Sequence, residues 1–363
     1  MQADRVLTVA AKRAVTLSLA LVIIVFFTAV IIGVTGYDVK VLNAIIDQRL
    51  KALKQQLQQQ NPPPTQEEID QIIEQERQQL IQLYQLDKPW YQRLVPMTIM
   101  TFTLNLNITS PDVANVAGIT MPASVKEAIR VTLPRTVIMI TVAELIAAAI
   151  ALPLGPYIAY KRGSLLDKGV VTYAALTNAL PIWWLAMIFI YVFGVVLDIA
   201  PTTYRGVLEY LRWDMFTADM LATLKGVLYY AYVPILVTTL SFLGGWLYSV
   251  RAVAIRVVSE DFVIVAKAKG LPEQLIVRRY ILRVIAGPVL TFFILGLAGS
   301  IGGFIITETV FDWPGMGSLY YQAILSSDSP TILGLTYVTT LVYVVGRFIL
   351  EILYVILDPR VKM

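Results

Sequence analysis

Six stretches of the chain are almost uninterruptedly apolar, running approximately from Ala14 to Gly36, Val131 to Tyr160, Gly169 to Ile199, Gly226 to Val250, Val284 to Val310 and Thr331 to Leu357. A helix rises about 1.5 Å per residue, so about 20 such residues are needed to cross the hydrocarbon core of a bilayer. The pattern therefore predicts six membrane-spanning helices. Lys12 and Arg13 precede the first run, and no small-x-small cleavage site follows it, so it reads as a retained helix and not a signal peptide.

Between the first two runs the pattern changes. Leu42, Ile46, Leu50, Leu53 and Leu57 recur at helical spacing, and after Asn61 and three prolines Ile69, Ile72, Ile73, Leu80 and Leu83 do so again. Thr65 and Glu68 form a capping box at the start of the second helix. The connection thus carries an amphipathic helical hairpin turning at Pro62 to Pro64, with a glutamine-rich outer face. Either the two helices simply cover each other's apolar stripes, or that outer face is a docking surface.

A third pattern occupies the connection from Arg251 to Arg283. Ser259 is placed to cap a helix with Glu260 and Asp261 in its first turn and Lys267 and Lys269 in its last, each sign suiting the helix dipole. Gly270 ends it, and Pro272 stands where a second helix can begin. Phe262, Val265 and Ala266 are expected to form one apolar face. Such an element suits mechanical coupling to a soluble motor; the competing reading is an interfacial helix lying on lipid headgroups.

Composition agrees with a membrane protein. Of 363 residues, 57% are hydrophobic and 15% charged, with mean hydropathy +0.69. The net charge of +4 comes from short basic clusters beside apolar runs, which are topology signals and not a nucleic-acid footprint. Lys12 and Arg13, then Lys161, Arg162 and Lys168, then the series from Arg251 to Arg283, then Arg360 and Lys362 fall on alternate connections. Both termini are therefore expected in the cytoplasm of a cell-membrane protein, with the connection from Tyr37 to Arg130 outside. Asn107-Ile108-Thr109 is a glycosylation sequon on that outer side. Cysteine and histidine are absent, which removes thiolate nucleophiles, imidazole bases and the usual zinc and haem ligands. No G-x-x-x-x-G-K-[ST] loop occurs, so any ATP chemistry would belong to another subunit, and the chain by itself is not expected to be an enzyme.

The run Phe262-Val263-Ile264-Val265-Ala266-Lys267-Ala268-Lys269-Gly270-Leu271, with Arg279, Arg283 and Pro288, resembles the coupling loop of permease subunits of dipeptide/oligopeptide ABC importers. Further matches are Leu86-Asp87-Lys88-Pro89, Lys161-Arg162-Gly163-Ser164 with Asp167, Pro181 with Trp183 and Trp184, Glu308-Thr309-Val310-Phe311 with Pro314-Gly315-Met316-Gly317, and Asp358-Pro359-Arg360. The resemblance implies an all-α, six-helix type I importer permease: residues 1–36 as terminus and first helix, 37–130 as the extracellular loop with the hairpin insertion, and 131–363 as a five-helix core with its coupling loop at 251–283. It implies a homologous second permease subunit, two ATPase subunits that hold ATP and magnesium, an extracellular substrate-binding protein, and peptide or oligosaccharide cargo. The motor contact would fall on Glu260, Asp261, Phe262, Ala266, Lys267, Ala268, Lys269, Gly270, Arg278 and Arg279. An extracellular gate and docking region would fall on Glu308, Phe311, Trp313, Pro314, Gly315 and Gly317; for Glu308 a solvated helix end is the alternative. Where the general loop carries Glu-Ala-Ala, this chain has Ile264, Val265 and Ala266; Tyr280 stands in place of the subfamily's histidine; and the hairpin is longer than usual.

Ionisable groups in hydrocarbon need a partner or water. Arg347 and Glu351, four apart, are expected to neutralise one another, as a structural pair at a subunit interface or as part of a gate. Glu144 has no partner within its own helix and should face a wet cavity or another subunit, in a structural or pathway role. Gly296, Ser300 and Gly303 would let another backbone approach the fifth helix. An ion-coupled secondary transporter is the rival function, but the internal repeats and broken helices of that class are not evident. A non-transporting scaffold would leave the basic loop unexplained.

Overall fold

The computed structural model describes residues 2–59, 64–83, 85–106, 108–211, 219–300 and 302–357. Pro62, Pro63, Asn107, Asp358-Pro359-Arg360 and Lys362 lie outside them. Among the described residues every regular element is helical, apart from one isolated bridge between Ile108 and Ser124.

In chain order the helices are α1 (Gln2–Thr35), α2 (Tyr37–Gln58), α3 (Gln66–Leu83), α4 (Trp90–Phe102), α5 (Pro111–Ala117), α6 (Val125–Tyr160), α7 (Leu165–Ala179) and α8 (Ile182–Val196). They continue as α9 (Met220–Val258), α10 (Asp261–Ala268), α11 (Glu273–Ser300), α12 (Ile305–Phe311), α13 (Met316–Leu325) and α14 (Ser329–Leu357). Five of them contain segments long and apolar enough to cross a membrane, and the pair α7–α8 makes a sixth if counted as one span.

The elements differ from the apolar runs in three ways. α6, α9 and α11 extend several residues past their runs because amphipathic turns continue the helix beyond the hydrocarbon-compatible stretch. The run from Gly169 to Ile199 is not one helix: it breaks at Leu180 and Pro181 and bends by 94°. Pro181 has no N–H to donate and holds its predecessor extended, Leu180 having ψ 124°. A broken helix, expected to be missing, is therefore present. The fifth run also divides, α11 ending at Ser300 and α12 starting at Ile305, with Gly303 in the left-handed region at φ +80°.

Two compact units are distinguished: residues 1–18, 132–318 and 341–363, and residues 19–131 with 319–340. In the first, α6 and α9 run close together. Ala147, Ala148, Ala151 and Gly155 supply the small face on α6, and a Cβ on Gly155 would come within 2.6 Å of Val250 Cγ1. The expected small-residue stripe does not admit another backbone along α11: Gly296 faces the Glu144 side chain and Ser300 Oγ lies 2.9 Å from Thr141 Oγ1, whereas Gly303, beyond the helix, is the position that meets backbone, a Cβ there coming within 2.7 Å of Gly317 N.

In the second unit, α2 and α3 form the expected hairpin. Ile46, Leu50 and Leu80 are buried in its seam beside Ile73 and Ile81, whereas Ile72 and Leu83 are exposed. The Thr65–Glu68 capping box is made, with Thr65 N–H donating to Glu68 Oε2 at 2.8 Å. Ion pairs Arg77–Asp47 at 2.7 Å and Arg49–Glu76 at 3.1 Å flank the seam. Elsewhere in this unit buried Asp328 accepts from Thr109 Oγ1 (2.7 Å), Ser110 N–H (2.6 Å) and Thr331 N–H (3.0 Å), closing the start of α14 onto the strand-like segment. The hydroxyl of Thr109, third residue of the sequon, is thus buried and engaged.

Candidate functional site

The connection from α9 to α11 folds as helix, glycine turn, helix. α10 has its N-cap at Glu260, with no side-chain cap. Ser259 does not cap it: its hydroxyl bonds back to the Ile255 carbonyl at 3.4 Å, where it closes α9. The expected apolar face of Phe262, Val265 and Ala266 is also revised. Val263 and Ala266 are the buried pair, packed among Ile276, Ile281, Ile285 and the α6–α9 core, while Phe262, Ile264 and Val265 are 39%, 54% and 50% exposed. On an eight-residue helix beginning at Asp261, positions three apart point the same way, so Val263 and Ala266 share the inner face. Ala266 is therefore a seat for α10 and not a surface contact. Glu260, Asp261, Lys267, Ala268, Lys269, Gly270, Arg278 and Arg279 are exposed as expected.

Gly270 has φ +69°, and a Cβ there would meet nothing within 4 Å. It is required for the backbone conformation alone. From Glu273 the helix is continuous to Ser300, with one π-type turn at Ile276–Ile281, so the turn after α10 is joined directly to a membrane-crossing element.

The turn between α6 and α7 braces this loop on three sides. Arg251 of α9 donates from Nε to Asp167 Oδ1 and from Nη2 to Asp167 Oδ2 at 3.0 Å, a bidentate pair whose side chains are 13% and 6% exposed. Asp167 Oδ2 also accepts the Gly163 N–H at 2.9 Å, and Ser164 caps α7 through the Asp167 N–H at 3.2 Å. Lys161 Nζ reaches Glu273 Oε2 at 2.9 Å, and Lys267 Nζ stands 4.4 Å over the Tyr160 ring. The sequence displayed Asp167 and Arg251 but no spacing that pairs residues 84 apart.

Glu144, on α6, has its partner on another helix: Trp246 Nε1–H of α9 donates to Oε1 at 3.0 Å. The carboxyl stands in the wall of a cavity of about 510 Å³ beside the α7–α8 break, with Asn178, Pro181, Ser241 and Phe292. The foreseen cavity is present. Gly296 faces the same carboxyl, and a Cβ on it would collide with Oε1.

Glu308 is completely buried, so it is not a solvated helix end. Its Oε2 accepts N–H bonds from Gly317 (2.8 Å) and Ser318 (3.2 Å), and its Oε1 accepts from Thr136 Oγ1 (3.0 Å), which in turn accepts the Met316 N–H at 2.7 Å. Burial outweighs these donors and pushes the carboxyl up to about 7. A Cβ on Gly303 would come within 2.7 Å of Oε1, and one on Gly315 would fall on Oε2, which is why the surrounding positions are glycine. Trp313 Nε1–H donates to the Arg135 carbonyl at 3.0 Å, and the rings of Phe311 and Tyr204 meet edge to face. Phe311, Trp313, Pro314, Gly315 and Gly317 are all buried like Glu308, so these six residues build the turn from within and offer no docking surface of their own. Asp312, between them, is exposed.

Arg347 and Glu351 pair along α14, Nε to Oε1 at 3.2 Å, as their spacing foretold. Arg13 of α1 adds a second cation, its Nε 2.7 Å from Glu351 Oε2, so the pair is a three-membered tie between helices at opposite ends of the chain. Among the described residues no cluster of acidic side chains has metal-binding geometry.

Comparison with known proteins agrees with this arrangement. The chain is 28% identical over 291 residues to the oligopeptide transport system permease protein AppB of Bacillus subtilis, covering 80% of this chain and 86% of that one. It is 33% identical over 238 residues to the di/tripeptide transport system permease protein DppB of Pseudomonas aeruginosa, covering 63% and 70%. It is 27% identical over 210 residues to the metal-staphylopine import system permease protein CntB of Staphylococcus aureus, covering 58% and 60%. Residues 151–363, which contain the braced loop and the buried Glu308 turn, match the sequence profile of the binding-protein-dependent transport system inner membrane component, and the chain belongs to that family of integral membrane permeases.

Proposed function

We propose that the chain is one half of the translocation pore of an ATP-driven importer of di- and oligopeptides or solutes built like them. The observation that carries this reading is the two-sided character of α10: Val263 and Ala266 lock it to the core, while Phe262, Ile264 and Val265 are left exposed beside Lys267 and Lys269. An exposed apolar ridge flanked by charge suits insertion into a groove on an ATPase subunit. Movement of α10 is passed by the Gly270 turn into α11, and the pore alternates between outward and inward access. ATP and magnesium are held by two ATPase subunits; a homologous permease subunit completes the pore, and an extracellular binding protein delivers the solute. Both termini and the α10 loop face the cytoplasm, with the hairpin outside. Peptide cargo is supported by what the relatives are named for. Oligosaccharide is the broader alternative.

One observation favours the ion-coupled rival: the helix break at Leu180–Pro181 beside an intramembrane carboxylate is common in secondary transporters. Recovery of ATPase subunits with the detergent-solubilised chain separates the two. The wild type should retain them, and acidic residues at Lys267 and Lys269 should release them; a wild-type chain that transports without any ATPase would overturn the importer reading.

A further inference from the structure

The cavity at the α7–α8 break is walled by α6, α7, α8, α9 and α11 and has a volume of about 510 Å³. Glu144 is its one ionisable lining group among the described residues, and it is 6% exposed. Trp246 occupies Oε1, and no hydrogen bond among the described residues reaches Oε2. The arrangement is built and not incidental: the fifth span presents Gly296 where any larger residue would displace the carboxyl, and the indole N–H fixes its orientation.

Depth matters here. Glu144 stands thirteen residues after Val131 and sixteen before Tyr160, at the centre of the apolar run of α6, which places the carboxyl near the middle of a bilayer. A half-satisfied carboxyl at that depth costs several kcal/mol unless a cation or donor reaches it. The rest of the wall offers Asn178, Ser241 and Ser249 as hydrogen-bonding groups and Phe242, Trp246 and Phe292 as aromatic faces. A carboxylate with aromatic neighbours and a few neutral polar groups is chemistry for a compact ammonium ion.

We propose that this cavity is a solute site that takes a primary ammonium group, of the kind at the amino terminus of a short peptide, with Glu144 as its counter-ion and Trp246 as the residue that orients Glu144. The proposal rests on the importer reading above and adds the feature of the solute that the pore itself recognises.

The test uses the complete transporter, with its second permease and ATPase subunits but no binding protein, in lipid nanodiscs in the nucleotide-free and vanadate-trapped states. Trialanine and N-acetyl-trialanine are titrated calorimetrically. In at least one state trialanine should bind saturably, acetylation should weaken binding at least tenfold, Glu144→Gln should weaken it comparably, and Glu144→Asp should retain most of it. Equal binding of the two peptides, unaltered binding by Glu144→Gln, or no binding of trialanine in either state would overturn the site. The acetylation comparison uses only wild-type protein, so it stands even if the glutamine variant assembles poorly. ATP-driven trialanine uptake with the binding protein, run in parallel, separates the two readings: uptake without direct binding sinks the site alone, whereas failure of every peptide to be taken up sinks the importer reading.

Discussion

Substituting Gly270 isolates the backbone contribution to the turn between α10 and α11. Its φ is +69° and a Cβ would meet nothing within 4 Å, so steric crowding contributes nothing. What remains is the cost of the left-handed conformation, about 1–2 kcal/mol for an ordinary L-residue, largest for β-branched side chains and smallest for Asn. Because 1.4 kcal/mol is a factor of ten, Gly270→Val should disfavour the observed turn by roughly 5- to 30-fold. α10 itself remains seated through Val263 and Ala266, so the strain should redirect the turn without releasing the helix. Thermal melting in detergent should therefore shift by only a few degrees, while solute moved per ATP hydrolysed in proteoliposomes should fall several-fold. The series Gly, Asn, Ala, Val should decline in that order. Equal coupling in the Val and Asn variants would refute the reasoning.

Two other outcomes follow from the buried charges. Glu308 keeps its proton up to about pH 7, whereas an exposed carboxyl loses it near 4.5, so its contribution favours the folded state fully below about 4.5 and is lost as pH rises to 7. The span corresponds to about 3 kcal/mol; melting temperature should fall across this window in the wild type and not in Glu308→Gln, and parallel profiles would count against the assignment. For the Asp167–Arg251 pair, removing either partner alone should cost about 3–5 kcal/mol and loosen the loop, with Asp167→Leu/Arg251→Met recovering much of the loss. A double-mutant cycle in detergent melts measures this, and additive losses would show that the pair is not a unit.

The membrane character, the number of spans and the hairpin were legible because each is a local pattern of period 3.6 or a long apolar run. Glu68 and Thr65 cap a helix three residues apart, and Arg347 finds Glu351 one turn away, so these too could be read directly. Partners that come from other helices could not. Asp167 with Arg251, Glu144 with Trp246, and Asp328 with Thr109 are fixed by tertiary packing, and no spacing announces them. The face of α10 is ambiguous in the sequence because Phe262, Val265 and Ala266 stand one helical turn apart and Val263 and Ala266 do so as well, and only the packing shows that the seat admits the second pair. The bend at Pro181 was hidden by the continuity of the apolar run, since composition records solubility in lipid and not direction of travel. The role of Gly303 and Gly315 could not be read, because the Glu308 carboxyl they accommodate is brought to them only in three dimensions.

The bend between α7 and α8 also constrains how the protein is made. α7 has 15 residues and so extends only about 22 Å, less than the roughly 30 Å that an independent span requires. A helix too short to span alone is held by packing on its neighbours. The contacts that hold α7 lie downstream: the Tyr173 hydroxyl donates to the Leu240 carbonyl at 2.5 Å, and Gly244 leaves room for Thr177 and Ala174. During synthesis the bent segment therefore has no stable resting place until Met220–Val258 has emerged, and the two must be inserted as a cooperative pair. A ribosome stalled before Met220 should leave α7 and α8 accessible to the aqueous channel of the insertion machinery, although by hydropathy alone they belong in lipid.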